Sequence, residues 1–173
     1  MKYKVMIVED QTMPRELFEL RVQASERFEL ALSIDNAALA DVYCLRFPVD
    51  LILMDVITRD GENGLDAAAR IKRAFPQIKI IIVTSMPECS YLKRAKEIGV
   101  ESFWYKEEQR ESLLDVMERT MNGESVYPGA SPELTLGMAS SYQFTERELD
   151  ILREITSGDT NQEIGRASCR ERV

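Results

Sequence analysis

The sequence VDLILMD at residues 49–55 is the clearest indicator of the fold, because a short aliphatic run there ends in a single carboxylate. Four further apolar runs lie on either side of it: VMIV at 5–8, FELALSI at 28–34, KIIIVTS at 79–85 and SFWYK at 102–106. Short apolar runs separated by helix-length segments are typical of strands buried in a parallel sheet. The sequence therefore predicts five parallel strands.

The segments between these runs have the spacing of amphipathic helices. The first helix is predicted from Thr12 as its capping residue and Pro14 in its first turn, and the second is predicted to span residues 36–47. The apolar positions that mark the first, third, fourth and fifth helices are Leu17, Leu20 and Ala24; Leu65, Ala68, Ile71 and Phe75; Leu92, Ala95 and Ile98; and Leu113, Val116, Met117 and Met121. This alternation predicts an α/β domain over residues 1–122, a flavodoxin-like doubly wound five-stranded parallel sheet with the strand order 2-1-3-4-5.

Polar side chains end four of the predicted strands, and they are Glu9 and Asp10, Asp55, Thr84, and Lys106. In the predicted order these strands are neighbours, and the crevice of an open α/β sheet lies at the carboxyl ends of its strands. Three crowded carboxylates repel one another unless a cation sits among them. The sequence therefore predicts a Mg²⁺ site formed by Glu9, Asp10 and Asp55, with the Ile57 carbonyl as a further ligand.

The same strand ends suit phosphoryl transfer. A carboxylate can attack phosphorus in line, an ammonium can neutralise the phosphoryl oxygens, and a hydroxyl can donate a hydrogen bond to one of them. Asp55, Lys106 and Thr84 are predicted to fill these three roles. Each residue alone has an ordinary structural explanation, such as a helix cap for Asp55 or a β-branched strand position for Thr84. Their conjunction in chain order favours the functional interpretation.

The segments VMIVED, LILMD, IIIVTS and SFWYK resemble the signature segments of response-regulator receiver domains, over about residues 1–122. The resemblance implies that Asp55 is the phosphoacceptor, that Glu9 and Asp10 bind the metal with it, and that Thr84 and Lys106 contact the phosphoryl group. It also implies that Thr84 and Phe103 form a conformational switch and that phosphorylation favours a homodimer. The chain departs from the common pattern in having Glu9 in the acidic pair and Glu107 where many receivers have proline.

A second region follows the predicted receiver. Residues 123–143 are rich in Gly, Pro and Ser and are predicted to form a linker. FTERELDILREITSGDTNQEIG at 144–165 resembles the opening of the helix-turn-helix domain of NarL/LuxR-type regulators, which implies a short all-α fragment. The tail RASCRERV at 166–173 does not match that family and is expected to be non-native, with a short natural tail as the alternative. Because no recognition helix follows, we expect this chain not to bind DNA specifically, whereas the full-length parent protein would.

The main functional hypothesis is a response regulator that takes a phosphoryl group on Asp55 from a sensor histidine kinase or a small phosphodonor. It would switch a DNA-binding transcription output, and it would catalyse its own phosphorylation and dephosphorylation without being a turnover enzyme. The alternative is a stand-alone receiver that signals through protein contacts only. A phosphatase of the haloacid-dehalogenase type is disfavoured, because that family needs a second Asp where this chain has Ile57.

Composition and charge restrict the function further. The chain has 173 residues, a formal net charge of −8 and no histidine, so a metal site would need oxygen ligands. The acidic balance argues against a basic nucleic-acid surface. The apolar runs are far shorter than the roughly 18 residues that span a bilayer, and the N-terminus lacks a secretory apolar region. We therefore expect a cytoplasmic protein without a membrane partner.

Overall fold

The structure is a computed structural model that describes residues 2–61, 63–86, 88–106 and 112–129, and the backbone of 135–136 and 139–140. The chain divides into two compact units, Met1–Pro132 and Glu133–Val173. The predicted helix-turn-helix segment at 144–165 and the predicted tail at 166–173 lie outside the described residues.

A five-stranded parallel sheet organises the first unit. Its strands are β1 (Tyr3–Val8), β2 (Phe28–Ile34), β3 (Leu51–Met54), β4 (Lys79–Thr84) and β5 (Ser102–Tyr105). They lie in the order β2-β1-β3-β4-β5, which confirms the predicted flavodoxin-like topology. The register pairs Val8 with Met54 and Thr84 with Tyr105, so the residues that follow these strands leave the sheet at the same edge.

In the described part of the chain, five α-helices cover the sheet: α1 (Thr12–Gln23), α2 (Ala40–Arg46), α3 (Gly64–Ala74), α4 (Cys89–Ile98) and α5 (Leu113–Met121). A 3-10 turn at Ala37–Leu39 precedes α2, and Asn36 caps this turn by accepting a hydrogen bond from the Ala38 N–H (2.7 Å). Gly99 ends α4 with φ at 85°, a left-handed conformation that suits glycine. Among the described helices, none has the length and apolar character needed to cross a membrane.

Each strand contributes to two cores because successive side chains point to opposite faces of the sheet. Ile52 and Met54 lie in the core shared with α3 and α4, and Leu51 and Leu53 lie in the core shared with α1 and α5. These four side chains are fully buried. Burial of each contributes about 1.5–3 kcal/mol, so the sheet holds the strand ends in fixed positions.

The predicted orientation of α1 is wrong. Leu17 and Leu20 are 45% and 64% exposed and Ala24 is also exposed, whereas Phe18 and Val22 are buried against the sheet. The sequence contains two apolar stripes on this helix, and the one with the large aromatic ring faces the core. The predicted cap is also wrong by one residue, because Gln11 is the N-cap, without a side-chain hydrogen bond, and Thr12 is the first helical residue.

The segment predicted as a linker contains ordered contacts. Val126 and Tyr127 pack against the two cores of the first unit. In the second unit, β6 (Thr135–Leu136) pairs antiparallel with β7 (Ala139–Ser140). The Gly, Pro and Ser content of residues 123–143 predicted a linker. The packing of Val126 and Tyr127 and the pairing of β6 with β7 could not be predicted, because neither depends on a periodic apolar pattern.

Candidate functional site

Three carboxylates meet where β1 and β3 end. Glu9 and Asp10 follow β1, Asp55 follows β3, and a carboxylate oxygen of each lies within 4.8 Å of the others. Glu9 is fully buried, Asp55 is 5% exposed and Asp10 is half-buried. The Asp55 N–H donates to the Val8 carbonyl (2.9 Å), so the β1–β3 ladder itself brings these side chains together.

Lys106, which follows β5, reaches into this cluster. Its Nζ lies 2.6 Å from Glu9 Oε2 and 2.9 Å from Asp55 Oδ2, and its side chain is 9% exposed. The Lys106 N–H donates to the Thr84 carbonyl (2.9 Å), which ties the end of β5 to the end of β4. The predicted convergence of Glu9, Asp55 and Lys106 is therefore present in the structure.

Backbone N–H groups orient the two buried carboxylates. Asp55 Oδ1 accepts from the Val56 N–H (2.7 Å), and Glu9 Oε1 accepts from the Gln11 N–H (3.1 Å). Each carboxylate therefore has one oxygen on the backbone and the other on Lys106. This arrangement leaves little rotational freedom at Asp55 and fixes the direction from which it can react.

Burial and crowding change the proton affinity of the cluster. Removal from water raises the pKa of Glu9, the nearby Asp55 raises it further, and Lys106 opposes both. Burial likewise raises the pKa of Asp55 against the attraction of Lys106. Burial alone would lower the pKa of Lys106, but Asp55 and Glu9 together outweigh it and raise that pKa. A further cation would stabilise the ionised carboxylates.

Thr84, the last residue of β4, lies at the same edge of the sheet and is buried. Its Oγ1 accepts from the Met86 N–H (3.1 Å), which leaves the hydroxyl proton able to donate elsewhere. The side chain of Ile57 is exposed, and this residue forms a short bridge with Asn63. The metal-binding role predicted for the Ile57 carbonyl stays a prediction.

Phe103 lies within β5, not in the carboxylate cluster. Its ring is 2% exposed and packs edge-to-face on Tyr105, with 5.1 Å between ring centroids, and against Tyr127 at 6.3 Å. Its backbone N–H donates to the Val126 carbonyl (2.8 Å). Its role as a switch residue stays a prediction.

Sequence reasoning missed Gly64, the first residue of α3. A Cβ at this position would overlap the backbone carbonyl oxygen of Asp55 and lie 3.0 Å from Met54 Cγ. The Gly64 N–H donates to the Val56 carbonyl (2.7 Å), which places α3 directly against the site. The available signal was the pair Asn63–Gly64, in which Asn63 caps the helix by accepting from the Leu65 N–H (2.8 Å).

The donor set fits a hard divalent cation. Three carboxylates against one ammonium leave a formal charge of −2 on the ionised cluster. All three acidic groups offer oxygen, which is the ligand that Mg²⁺ prefers. The raised pKa values of Glu9 and Asp55 reflect burial and charge crowding that such an ion would relieve.

The chain matches known proteins over most of its length. The sequence model for the response regulator receiver domain matches residues 5–118. The response regulator protein VraR of Staphylococcus epidermidis is 34% identical, and the alignment covers 97% of this chain and 82% of that protein. VraR of Staphylococcus aureus strain NCTC 8325 is 33% identical over the same shares.

Solved structures agree with this assignment. A DNA-binding response regulator of the LuxR family from Staphylococcus aureus has a TM-score of 0.61 and 25% identity, over 69% of this chain and 97% of that one. A LuxR-family response regulator from Aurantimonas sp. SI85-9A1 shares the fold, with a TM-score of 0.68 at 19% identity over 73% of this chain and 89% of that one. The chain belongs to the two-component response regulators, as a member of the LuxR type with a receiver domain.

Proposed function

We propose that this protein accepts a phosphoryl group on Asp55 and thereby switches a transcription output of the LuxR type. The observation that carries the proposal is the environment of Asp55. One carboxylate oxygen lies 2.9 Å from Lys106 Nζ, the other accepts from the Val56 N–H, and the carboxylates of Glu9 and Asp10 stand beside them. This arrangement combines a nucleophile, an ammonium and a candidate metal site in one buried cluster.

The transfer step uses the phosphodonor, the side chains of this site and the Mg²⁺ that they would hold. A carboxylate oxygen of Asp55 attacks phosphorus, and the bond from phosphorus to the leaving group breaks as the new O–P bond forms. The leaving group departs with the electron pair, as acetate from acetyl phosphate or as the neutral imidazole of a kinase phosphohistidine whose other ring nitrogen carries a proton. Lys106 neutralises charge on the phosphoryl oxygens, and Thr84 donates its hydroxyl proton to one of them.

Glu9, Asp10 and Asp55 would hold Mg²⁺, with the Ile57 carbonyl as a further ligand. When bound, the ion supplies positive charge to the transferring phosphoryl oxygens. The support for this assignment is the all-oxygen donor set and the excess negative charge of the cluster. Lys106 already neutralises one of the three carboxylates, so the remaining charge matches a divalent cation.

The proposed partners follow from the family. A sensor histidine kinase would supply the phosphoryl group, and phosphorylation would favour a homodimer. The Staphylococcus aureus structure is that of a DNA-binding response regulator, which supports a DNA output for the full-length form of this protein. These partners would link Asp55 to transcription.

Intact-mass measurement after incubation with acetyl phosphate and Mg²⁺ tests the proposal. The wild-type chain should gain one phosphoryl group, and Asp55→Asn should gain none because the nucleophile is absent. Asp66→Asn is the matched control, since Asp66 is an exposed aspartate paired with Arg94 on the surface, and it should label like the wild type. Labelling of Asp55→Asn at the wild-type level would contradict the assignment.

A further inference from the structure

The residues that follow β2 hold the loop that follows β3. We call residues 56–61 the ligand loop, because this loop carries the Ile57 carbonyl that is proposed to bind Mg²⁺. Thr58 of the ligand loop is 2% exposed, and its Oγ1 accepts a hydrogen bond from the Ala37 N–H (3.0 Å). Ala37 begins the 3-10 turn before α2 and is fully buried. A buried side-chain hydrogen bond therefore fastens the ligand loop to the chain that leaves β2.

An ion pair at the surface reinforces this contact. Arg59 Nη1 lies 2.9 Å from Asp35 Oδ2, and the Arg59 N–H donates to the Asp35 carbonyl (3.3 Å). The two side chains are 60% and 40% exposed, so water screens their attraction and the ion pair contributes less than the buried hydrogen bond. Thr58 and Arg59, which are adjacent in the chain, thus both bind the residues that follow β2.

The other contacts of the ligand loop lead to α3. Ile57 forms an antiparallel bridge with Asn63, and the Val56 carbonyl accepts from the Gly64 N–H (2.7 Å). The Val56 N–H donates to Asp55 Oδ1 (2.7 Å). The ligand loop is therefore held from two sides, directly beside the carboxylate that is proposed to be phosphorylated.

The hydroxyl of Thr58 limits the direction of the Ile57 carbonyl. A trans peptide unit is planar, and it contains the carbonyl of one residue and the Cα of the next. The Ile57 carbonyl and Thr58 Cα therefore belong to one rigid plane. The hydrogen bond of the Thr58 side chain fixes one end of this plane, and the bridge from Ile57 to Asn63 fixes the other. The carbonyl oxygen can turn little without breaking one of these contacts.

The end of β2 also fixes Glu9, a proposed carboxylate ligand. The Glu9 N–H donates to the Ile34 carbonyl (3.0 Å), and Ile34 is the last residue of β2. Residues 34–37 therefore bind both the backbone of Glu9 and the ligand loop. β2 supplies none of the proposed ligands, but the residues at its end set the spacing between two of them.

We propose that Thr58 is a positioning residue that makes the cation site selective for Mg²⁺ over the larger Ca²⁺. This role rests on the proposed function, because it concerns the Mg²⁺ site of that function. Mg²⁺ requires nearly octahedral ligands at about 2.0–2.1 Å, whereas Ca²⁺ accepts oxygens at about 2.3–2.6 Å in a flexible geometry. A carbonyl held in one direction therefore favours Mg²⁺, and a carbonyl that can turn serves Ca²⁺ nearly as well.

Urea unfolding of the full chain in titrations of Mg²⁺ and of Ca²⁺ measures the two affinities. An ion that binds only the folded state raises the free energy of unfolding by an amount that gives its dissociation constant, so affinity is separated from intrinsic stability. Thr58→Val removes the acceptor for the Ala37 N–H and nearly keeps the side-chain size. We expect this variant to bind Mg²⁺ about 3- to 10-fold more weakly and Ca²⁺ less than about 2-fold more weakly.

Two matched variants serve as controls. Thr58→Ser keeps the hydroxyl and should retain the wild-type ratio of Mg²⁺ affinity to Ca²⁺ affinity. Thr120→Val makes the same change at a fully buried threonine of α5, whose Oγ1 donates to the Val116 carbonyl (2.6 Å) and lies 2.7 Å from Ser102 Oγ. Ser102 begins β5, at the edge of the sheet opposite the carboxylate cluster. Thr120→Val should therefore lower the free energy of unfolding and leave the ratio unchanged.

A wild-type ratio in Thr58→Val overturns the proposal, as does an equal fall of the ratio in Thr120→Val or a wild type that does not prefer Mg²⁺. If Thr58→Val does not fold, Arg59→Gln at the exposed ion pair replaces it and should lower the ratio by about 2-fold. An unchanged ratio in that variant then overturns the proposal. Phosphoryl labelling of the wild type by acetyl phosphate is measured by mass alongside. Its absence defeats the proposed function, whereas labelling without the expected change in the ratio defeats only the role of Thr58.

Discussion

Two lysine–carboxylate arrangements flank β5, and they differ in whether their charges balance. Before the strand, Lys72 Nζ lies 2.7 Å from Glu101 Oε1 and also donates to the Pro76 and Ile78 carbonyls, while Glu101 Oε2 accepts from the Ile80 N–H (2.9 Å). After the strand, Lys106 faces a cluster of three carboxylates. In the first arrangement the two charges balance and both side chains have hydrogen-bond partners within the fold, whereas the second keeps an excess of negative charge.

The two arrangements differ in whether the charges that the fold removes from water are compensated within the protein. A buried ion pair whose remaining hydrogen-bonding groups are satisfied needs nothing more from solvent or ligand. A buried cluster with uncompensated charge costs free energy until a cation or proton joins it. The same residue types therefore stabilise one end of β5 and form a candidate cation-binding site at the other.

The largest expected effect comes from removing the two lysines. Lys72→Met removes the charge partner of Glu101, whose side chain is 22% exposed, and should lower the free energy of unfolding by about 1.5–3 kcal/mol, equally with and without Mg²⁺. Lys106→Met should also destabilise the metal-free protein, but Mg²⁺ can replace the lost positive charge and restore most of the stability. Urea unfolding across a Mg²⁺ titration measures both. If Mg²⁺ changed the free energy of unfolding of both variants equally, the contrast in uncompensated charge between the two ends of β5 would be contradicted.

A smaller effect is expected at Gly64, where the site can be disturbed without changing any charge. Gly64→Ala places a methyl group against the Asp55 carbonyl, so either Asp55 or α3 must move. We expect a loss of about 1–3 kcal/mol in the free energy of unfolding and slower labelling by acetyl phosphate. Ala69→Gly, later in α3, is a control that exchanges the same two residue types in the opposite direction, at a position away from Asp55. Labelling at the wild-type rate in Gly64→Ala would mean that the position of Asp55 tolerates the displacement.

The smallest expected effect is the pH dependence of the metal-free site. Because the pKa values of Glu9 and Asp55 are raised, the folded state binds protons more tightly than the unfolded state. The free energy of unfolding should therefore fall as pH rises from about 4 through these raised pKa values. The raised pKa of Lys106 contributes stability that is lost only as pH rises past that pKa, above 10.5.

Comparing wild type with Asp55→Asn isolates this contribution. Asn cannot ionise, so the variant should gain stability relative to the wild type as pH rises through the window. Added Mg²⁺ should shrink the difference by stabilising the wild-type carboxylates. A difference that does not change with pH would contradict the raised pKa of Asp55.

The sheet and the strand-end residues could be predicted because they depend on local patterns. Five apolar runs gave the strands, and Asp55 and Lys106 were found because parallel strands place their carboxyl ends at one edge. The core-facing side of α1 could not be chosen, since Leu17 with Leu20 and Phe18 with Val22 form two stripes of similar spacing. In the folded chain the Phe18 ring packs edge-to-face beside Trp104, and Phe18 and Val22 both belong to the core that this ring pair helps to form.

Gly64 and Tyr127 could not be predicted because their roles depend on contacts with residues distant in sequence or on a close backbone approach. The requirement for glycine at 64 comes from the Asp55 carbonyl, which only the folded chain places there. Tyr127 lies in a stretch rich in Gly, Pro and Ser, and its contacts with Val100 and Phe103 follow from the path that the chain takes after α5.

The hydrogen bond between the Phe103 N–H and the Val126 carbonyl bears on how the receiver behaves when expressed alone. β5 is the outermost strand on its side of the sheet, and an unpaired edge strand is a template for aggregation with other chains. A fragment cut at residue 122 would expose this edge together with the apolar surface that Val126 and Tyr127 cover. A fragment that ends after Gly129 would keep the edge covered and should stay monodisperse at concentrations at which the shorter one precipitates.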